Sequence, residues 1–219
     1  MTFRLRTWHR VAFLLLWTLL VLYPNPWRLV QSVHRVFEPP VGAAAVEHLL
    51  PEVPRDPAEL EAHVLAEYPY RYDWTTYRVP WYFPTVDEAL KRGEGDCKTR
   101  FVILASLFEA LDVRYVQTFS ISHFWLTYEG KEETPLEKDS NAWLVRGEDG
   151  TRLKVPREDA QQIWRIFREA FWDAMPPLRK VMFLAGVPLA ALLHLPLALL
   201  GRVHRGAVAR IAGERLSMH

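Results

Sequence analysis

Residues 93–112, GEGDCKTRFVILASLFEALD, constrain the fold more than any other part of this sequence. Asp96 is typical of a helix N-cap, and the residues that follow it are apolar almost all the way around a helical axis. A helix that lacks a polar face is stable only when it is buried, so we expect this one at the centre of the fold. Gly93 is expected to end a preceding helix, and Gly93 and Gly95 are expected to leave room for a substrate backbone beside Cys97.

The residues after this helix carry strand patterns. VRYVQTF (113–119) alternates and is rich in β-branched and aromatic residues, HFWLTYEG (123–130) follows a short polar turn, and KEETPLE (131–137) follows a glycine. AWLVRGEDGTRLKV (142–155) is typical of a hairpin whose turn is Asp149–Gly150. A buried helix followed by an antiparallel meander predicts an α+β domain.

Two shorter helices are predicted before the central one. In RDPAELEAHVLAEY, Asp56 has the residue type of an N-cap and is followed by a proline at the first helical position. In TVDEALKRG, Thr85 and Glu88 have the spacing of a capping box. We therefore predict a water-soluble domain over residues 55–157, preceded by a linker at 31–54.

Both ends of the chain are apolar. An uncharged run from Val11 to Tyr23 follows a basic segment, which predicts a membrane anchor within residues 1–30; a cleaved signal peptide and a buried soluble helix are the alternatives. Residues 181–200 contain no formal charge, with His194 as the one ionisable group, and predict a second span within 179–201.

The flanks of the second span suggest how the chain lies on the membrane. Residues 158–178 are amphipathic at helical spacing, which suits a helix on the membrane surface or one packed on the domain. Arginines lie before the first apolar run and in the tail 202–219. The positive-inside rule then predicts two cytoplasmic tails and an extracytoplasmic domain, with membrane lipid as a partner.

Composition excludes several classes of function. The formal net charge of the 219 residues is +1 and there is no basic stripe, so we expect no nucleic-acid partner. Because Cys97 is the one cysteine, an intramolecular disulfide and a CxxC metal or redox site are excluded. The eight histidines show no metal-ligand spacing, and we expect neither a metal nor a cofactor.

Cys97 and His123 have the residue types of a nucleophile and its base. A thiolate is stabilised at a helix N-terminus, and a histidine can take its proton and return it to the leaving group. If the turn after the His123 strand has three residues centred on Gly130, reflection through Gly130 places Glu137 opposite His123, with Cβ atoms about 5 Å apart. Asp139 shares that face and lies diagonally.

These residues resemble the transglutaminase-like superfamily: GEGDC at a helix start, HFW at a strand start, and an acid at the end of the next predicted strand. The resemblance covers roughly residues 80–145 and implies a papain-like helix packed on an antiparallel sheet. It further implies that Cys97 is the nucleophile, His123 the base and Glu137 the acid that orients the imidazole. The family usually has aspartate as the acid, so Asp139 remains an alternative.

The expected function is a membrane-anchored cysteine hydrolase, a peptidase or amidase that acts on protein or peptide substrates through a thioester and needs no cofactor. Amine transfer by a transglutaminase and a non-catalytic binding module are the alternatives. Trp125 is expected to shape the cleft beside His123 or to pack in the core. Trp81 and Tyr82 are expected to line a substrate groove or to be structural.

Overall fold

The computed structural model describes residues 2–192, and the exposure of side chains within residues 8–192. The chain divides into two compact units. One unit combines the two ends of the chain, Met1–Pro24 and Pro177–His219, and the other is Asn25–Pro176. The second, which we call the central unit, contains every predicted site residue.

The elements follow one another in a simple order. The helices are α1 (Thr2–Leu22), α2 (Trp27–Phe37), α3 (Pro57–Glu67), α4 (Asp73–Thr76), α5 (Val86–Arg92), α6 (Cys97–Ala110), α7 (Ala160–Phe167) and α8 (Pro177–Leu192). The strands are β1 (Tyr115–Phe119), β2 (Phe124–Tyr128), β3 (Leu144–Gly147) and β4 (Gly150–Leu153). A π-helix, Arg168–Asp173, follows α7, and 3-10 turns lie at Ala43–Ala45, Glu47–Leu49 and Asp139–Asn141.

The four strands form one antiparallel sheet in the order β2-β1-β3-β4, which confirms the predicted α+β class. The strand predicted at 131–137 is wrong: these residues lie in a loop, and β2, with which this segment was expected to pair, is an edge strand that pairs with β1. The segment contains Pro135, which has no N–H for a ladder, and lacks alternating apolar residues. The β3–β4 hairpin is confirmed, but Gly147 pairs with Gly150, so its turn is Glu148–Asp149.

The core lies between α6 and the sheet. Helix α6 is buried from Cys97 to Phe108 except at Arg100, as its apolar circumference predicts. Phe101 packs against Phe119 of β1 at 5.3 Å between ring centroids. Segment 31–54, for which we predicted a linker, contributes buried side chains to this same core: Val36 and Val46. Packing therefore extends beyond residues 55–157.

The helix termini form where the local sequence predicts them. Asp56 accepts hydrogen bonds from two N–H groups of α3, and Thr85 and Glu88 form a reciprocal capping box on α5. Gly93 ends α5 with φ +64°, a left-handed conformation that favours glycine. Asp96 accepts from the N–H of Lys98 and caps α6. Each of these caps is confirmed.

Gly95 has a packing role that differs from the one we predicted. A Cβ at this position would lie 2.1 Å from Oγ1 of Thr99, a distance at which atoms overlap. The absence of a side chain lets the loop pack directly on the first turn of α6. Close packing at Gly95 and backbone conformation at Gly93 thus account for both glycines, and the room for a substrate backbone stays a prediction.

In the unit made of the two ends, α1 and α8 pack against each other. Nε1 of Trp17 donates to the carbonyl of Met182 at 2.8 Å, and Gly186 leaves space for the Trp17 ring. Among the described residues, no single helix has the length and apolar character needed to cross a membrane. Two bent pairs reach that length and composition together: Trp8–Leu22 with Trp27–Phe37, and Ala160–Asp173 with Pro177–Leu192.

Much of the predicted second span cannot be compared with the structure. Of residues 179–201, the structure describes those up to 192, where α8 ends. His194 and the tail 202–219 lie outside the described residues. The two spans and the orientation of the chain therefore stay predictions.

The amphipathic segment 158–178 packs on the domain at one end and exposes apolar side chains at the other. At its C-terminal end, the Phe171 carbonyl accepts a hydrogen bond from Nε1 of Trp74 at 2.9 Å, so this part packs on the domain. In α7, by contrast, Trp164 is 67% exposed and stacks beside the exposed Phe167. The apolar side of α7 is thus open at these two residues.

Candidate active site

Three elements bring Cys97, His123 and Glu137 together. Cys97 is the first residue of α6 and is 8% exposed, His123 immediately precedes β2, and Glu137 lies in the loop after β2. All three side chains line one cavity of about 230 Å³. The structure therefore places the predicted nucleophile, base and acid around a common space.

His123 and Glu137 are in direct contact. Nε2 of His123 donates to Oε1 of Glu137 at 3.0 Å, and both side chains are largely buried. With Nε2 engaged by the carboxylate, Nδ1 is the ring nitrogen left to exchange a proton with Cys97. A carboxylate that fixes the ring and its tautomer in this way is the arrangement that a Cys–His pair requires.

Electrostatics make His123 a cation at neutral pH. Burial alone lowers the pKa of His123, but hydrogen bonds to Cys97 and Glu137 and the negative charge of both groups outweigh it and raise the pKa to about 10. The pKa of Glu137 is lowered, because the contacts with His123 and Lys131 outweigh the upward effect of burial. The site thus favours an imidazolium held by a carboxylate.

A second cation, which sequence reasoning missed, holds Glu137 in place. Nζ of Lys131 lies 3.1 Å from Oε2 of Glu137 and 2.5 Å from Oε1 of Glu61. Glu61 also accepts the hydroxyl of Tyr128 at 2.6 Å. Each oxygen of Glu137 therefore has a cationic partner, which sets the orientation of the carboxylate towards His123.

Glu137 reaches His123 from a loop and not across a strand ladder. The prediction of the residue agrees with the geometry, but the reflection through Gly130 that led to it assumed a strand that does not form. Asn141 instead holds the loop, because its side-chain amide donates to the carbonyls of Pro135 and Leu136. Asp139 is exposed and pairs with Lys154 at 2.6 Å, so it is not the acid that contacts His123.

The turn between β1 and β2 fixes the backbone of His123. Oγ of Ser120 accepts the N–H of His123 at 2.9 Å and donates to Glu158 at 3.0 Å. Glu158 also accepts the N–H of Ile121 and the hydroxyl of Ser122. Glu158 was not identified from the sequence, because it lies far downstream and follows no spacing rule.

The three predicted substrate-binding aromatic residues separate into two groups. Trp125 lines the cavity and stacks on His123, with ring centroids 6.1 Å apart and planes 18° from parallel. Trp81 and Tyr82 do not line it. Trp81 lies beneath the ammonium of Lys98, and the Tyr82 hydroxyl donates to Glu88 at 2.8 Å. Tyr70 and Arg100, which we did not predict, do line the cavity.

Lys98 forms a buried ion cluster next to Cys97. Its ammonium lies 3.0 Å from Oδ2 of Asp73 and also contacts Asp96. Burial and the charge of Asp96 raise the pKa of Asp73 to about 7, against the opposing effect of Lys98. The two carboxylates raise the pKa of Lys98 despite its burial. This cluster anchors the first turn of α6, where Cys97 lies.

Within residues 2–192, no group of three or more histidine, cysteine, aspartate or glutamate side chains is placed to hold a metal ion. Comparisons of the chain with protein-family models, with curated proteins and with solved structures found no match.

Proposed function

We propose that this protein is a membrane-associated cysteine hydrolase that cleaves amide bonds of a protein or peptide through a thioester intermediate. The observation that carries the proposal is the arrangement of Cys97, at the start of a buried helix, with a His123–Glu137 pair around one cavity. The proposal includes a transglutaminase-like core of papain type. A cysteine-bearing helix packed on an antiparallel sheet, with a histidine at a strand start, supports that fold.

The first step transfers the acyl group to Cys97. The sulfur of Cys97 attacks the substrate carbonyl, an S–C bond forms, and the π electron pair of the carbonyl moves to its oxygen. His123 holds the thiol proton and delivers it to the leaving nitrogen, and the C–N bond then breaks to release an amine. Glu137 keeps the imidazolium oriented and stabilised throughout this step.

The second step frees the enzyme. Water attacks the thioester carbonyl and His123 takes a proton from the water. The C–S bond then breaks with its electron pair on the sulfur of Cys97, so that a carboxylic acid leaves and His123 again holds the proton that it had at the start. If a lysine amine replaces water, the same chemistry produces a new amide. Apolar side chains on the cavity wall, which include Leu104, Leu126 and Leu136, suit a substrate with an apolar group beside its scissile carbonyl.

The membrane part of the proposal rests on exposed apolar side chains at both ends of the central unit. The exposed residues are Trp27, Val30, Val33 and Phe37 of α2, and Trp164 and Phe167 of α7. Amphipathic helices with tryptophan on the apolar side lie at the boundary between lipid headgroups and acyl chains. We propose that these two faces rest on lipid and that the cavity opens outside the cytoplasm.

Acyl trapping on intact cells that express the full chain tests the proposal. The probe is a sulfonated fluorescent p-nitrophenyl ester, whose charge prevents it from crossing membranes. We expect a label on Cys97 that neutral hydroxylamine removes, as it removes a thioester but not a lysine amide. The Cys97→Ser variant should show no hydroxylamine-labile label.

The outcomes of this trapping separate the alternatives. Release of the free acid supports hydrolysis, whereas transfer of the label to an added primary amine would show a transglutaminase. A folded chain without a labile label would contradict catalysis and identify a binding module. Labelling that needs permeabilised cells would overturn the proposed location.

The acid of the site has its own test. Replacement of Glu137 by glutamine should lower the acylation rate about 100-fold, because it weakens the fixation of the imidazole and removes a charge that stabilises its protonated form. Asp139→Asn, which changes an exposed acid that pairs with Lys154, should leave the rate within about twofold. Stopped-flow release of p-nitrophenolate measures both rates. A larger effect at Asp139 than at Glu137 would contradict the assignment.

A further inference from the structure

Tyr70 is held beside the cysteine by its main chain. It forms a parallel bridge with Gly95, in which Gly95 N–H donates to the Pro69 carbonyl at 3.1 Å and Arg71 N–H donates to the Gly95 carbonyl at 2.9 Å. Gly95 precedes Cys97 by two residues. The segment that carries Tyr70 and the loop that leads into α6 therefore form one fixed unit.

The ring of Tyr70 also has fixed neighbours. The guanidinium of Arg100 lies 5.3 Å from its centroid, and Arg100 is itself held by the carbonyls of Tyr68 and Leu65. Tyr72 meets the ring edge-on at 5.5 Å. These contacts restrain the ring in the wall of the cavity that Cys97 also lines.

Tyr70 is 41% exposed, and its hydroxyl makes no hydrogen bond to the side chains described within residues 8–192. The hydroxyls of five other tyrosines contact a side chain, namely those of Tyr72, Tyr77, Tyr82, Tyr115 and Tyr128. A restrained phenol that lines a reactive cavity and donates to no protein group is available to a ligand. Burial, and then the negative charge of Cys97 and Asp96, raise the pKa of Tyr70 above its ordinary value, so the hydroxyl keeps its proton at neutral pH.

A second donor belongs to Cys97 itself. At the start of α6, Asp96 accepts the N–H of Lys98 at 3.0 Å, whereas the N–H of Cys97 donates to no group of the described chain. The N–H groups of a first helical turn carry partial positive charge. Negative charge that develops on a carbonyl oxygen attached to Cys97 would therefore lie close to this N–H.

We propose that the Tyr70 hydroxyl and the Cys97 N–H together form the oxyanion hole of the site. This inference rests on the proposed acyl transfer and assigns Tyr70 as a further catalytic residue, which touches the reacting oxygen. During attack by the Cys97 sulfur, the oxygen of the substrate carbonyl gains the π electron pair and accepts a hydrogen bond from each of the two donors. When the carbonyl re-forms, that pair returns and the leaving group departs with the proton from His123.

Two reagents with different chemistry at the same sulfur test this inference. Acylation by p-nitrophenyl acetate passes through an oxyanion, whereas alkylation by iodoacetamide displaces iodide and does not. Loss of one oxyanion donor typically costs about 100-fold in rate or more. Tyr70→Phe keeps the ring and its contact with Arg100, so acylation should fall about 100-fold while alkylation stays within about threefold.

The matched control is Tyr72→Phe, which removes a phenol hydroxyl that lies outside the cavity wall and donates to Glu169. Both reactions should be unchanged in this variant of the full detergent-solubilised chain. The role of Tyr70 would be overturned if Tyr70→Phe left the ratio of the acylation rate to the alkylation rate unchanged, whether both rates stayed the same or both fell by the same factor. Wild-type protein that is alkylated at Cys97 but never acylated would instead defeat the proposed function itself, and this inference with it.

Discussion

Replacement of His123 by alanine is expected to lower the rate of Cys97 acylation about 10³- to 10⁴-fold, because nucleophile and base act as one unit. With a pKa raised to about 10, His123 is an imidazolium at neutral pH and holds the proton that the leaving group needs. Without it, the sulfur loses its cationic partner and the leaving nitrogen must be protonated from water. The burst of p-nitrophenolate per chain, followed over time, measures this rate.

The control for this variant is His63→Ala, which removes another histidine of the central unit that does not line the cavity. We expect its acylation rate to match that of the wild type. Circular dichroism of both variants establishes that the fold is intact. An intact His123→Ala variant that acylates at more than about a tenth of the wild-type rate would show that Cys97 acts without this base.

The parts of the fold that were predictable depend on neighbours in sequence. Asp56, Thr85 with Glu88, and Asp96 each satisfy N–H groups within three residues, so residue type and spacing carry the whole interaction. The burial of α6 was likewise predictable, because a helix that is apolar on all sides has no polar face to expose to water. Cys97 and His123 were identified for the same reason, since each lies at the start of a recognisable element.

The prediction of a strand at 131–137 was wrong because Gly130 was interpreted as the centre of a hairpin turn and the polar residues after it as a strand paired with β2. Pro135 and the preceding glutamates fit a loop, and the carbonyls of Pro135 and Leu136 find their donor in Asn141. Glu137 meets His123 through this loop. Glu137 was thus selected through an incorrect pairing, although the structure does place its carboxylate in contact with His123.

Interactions that join distant residues left no trace in the sequence. Lys131 and Glu61 are 70 positions apart, and nothing in the type or spacing of a lysine and a glutamate distinguishes this pair from solvated charges. Glu158 beside Ser120 and Lys98 beside Asp73 are equally invisible. The glycine at position 95 could be noted from the sequence, but the close contact with Thr99 that requires a glycine there appears only in the folded structure.

Lys98 should matter most for the stability of the central unit. Its side chain is 3% exposed and lies between Asp73, which is 2% exposed, and Asp96. Removal of one partner from a buried ion cluster leaves uncompensated charge and costs about 3–5 kcal/mol of the free energy of unfolding. We therefore expect Lys98→Met to lose this amount at pH 7.5 in urea unfolding of the detergent-solubilised chain, followed by tryptophan fluorescence.

The pH dependence gives this loss a distinctive sign. Asp73 is an acid whose pKa is raised in the folded chain, to about 7, so the folded state holds its proton more tightly than the unfolded state and stability falls as pH rises from about 4 to 7. Loss of Lys98 removes the cation that opposes this rise, so the penalty should be larger at pH 7.5 than at pH 5. Lys91→Met, at an exposed position of α5, should change stability by less than about 0.5 kcal/mol at either pH.

A second variant separates charge from packing. Asp73→Asn combined with Lys98→Met removes one of the two carboxylates but keeps an oxygen that can accept the N–H of Tyr82, which Asp73 now accepts at 2.7 Å. If uncompensated charge causes the loss, the double variant should recover about half of it or more at pH 7.5, and its stability should no longer fall so steeply with pH. If the double variant is as unstable as Lys98→Met at both pH values, uncompensated charge on Asp73 is not the cause, and the packing of the Lys98 side chain, whose ammonium lies over the Trp81 ring, stabilises the first turn of the helix that carries Cys97.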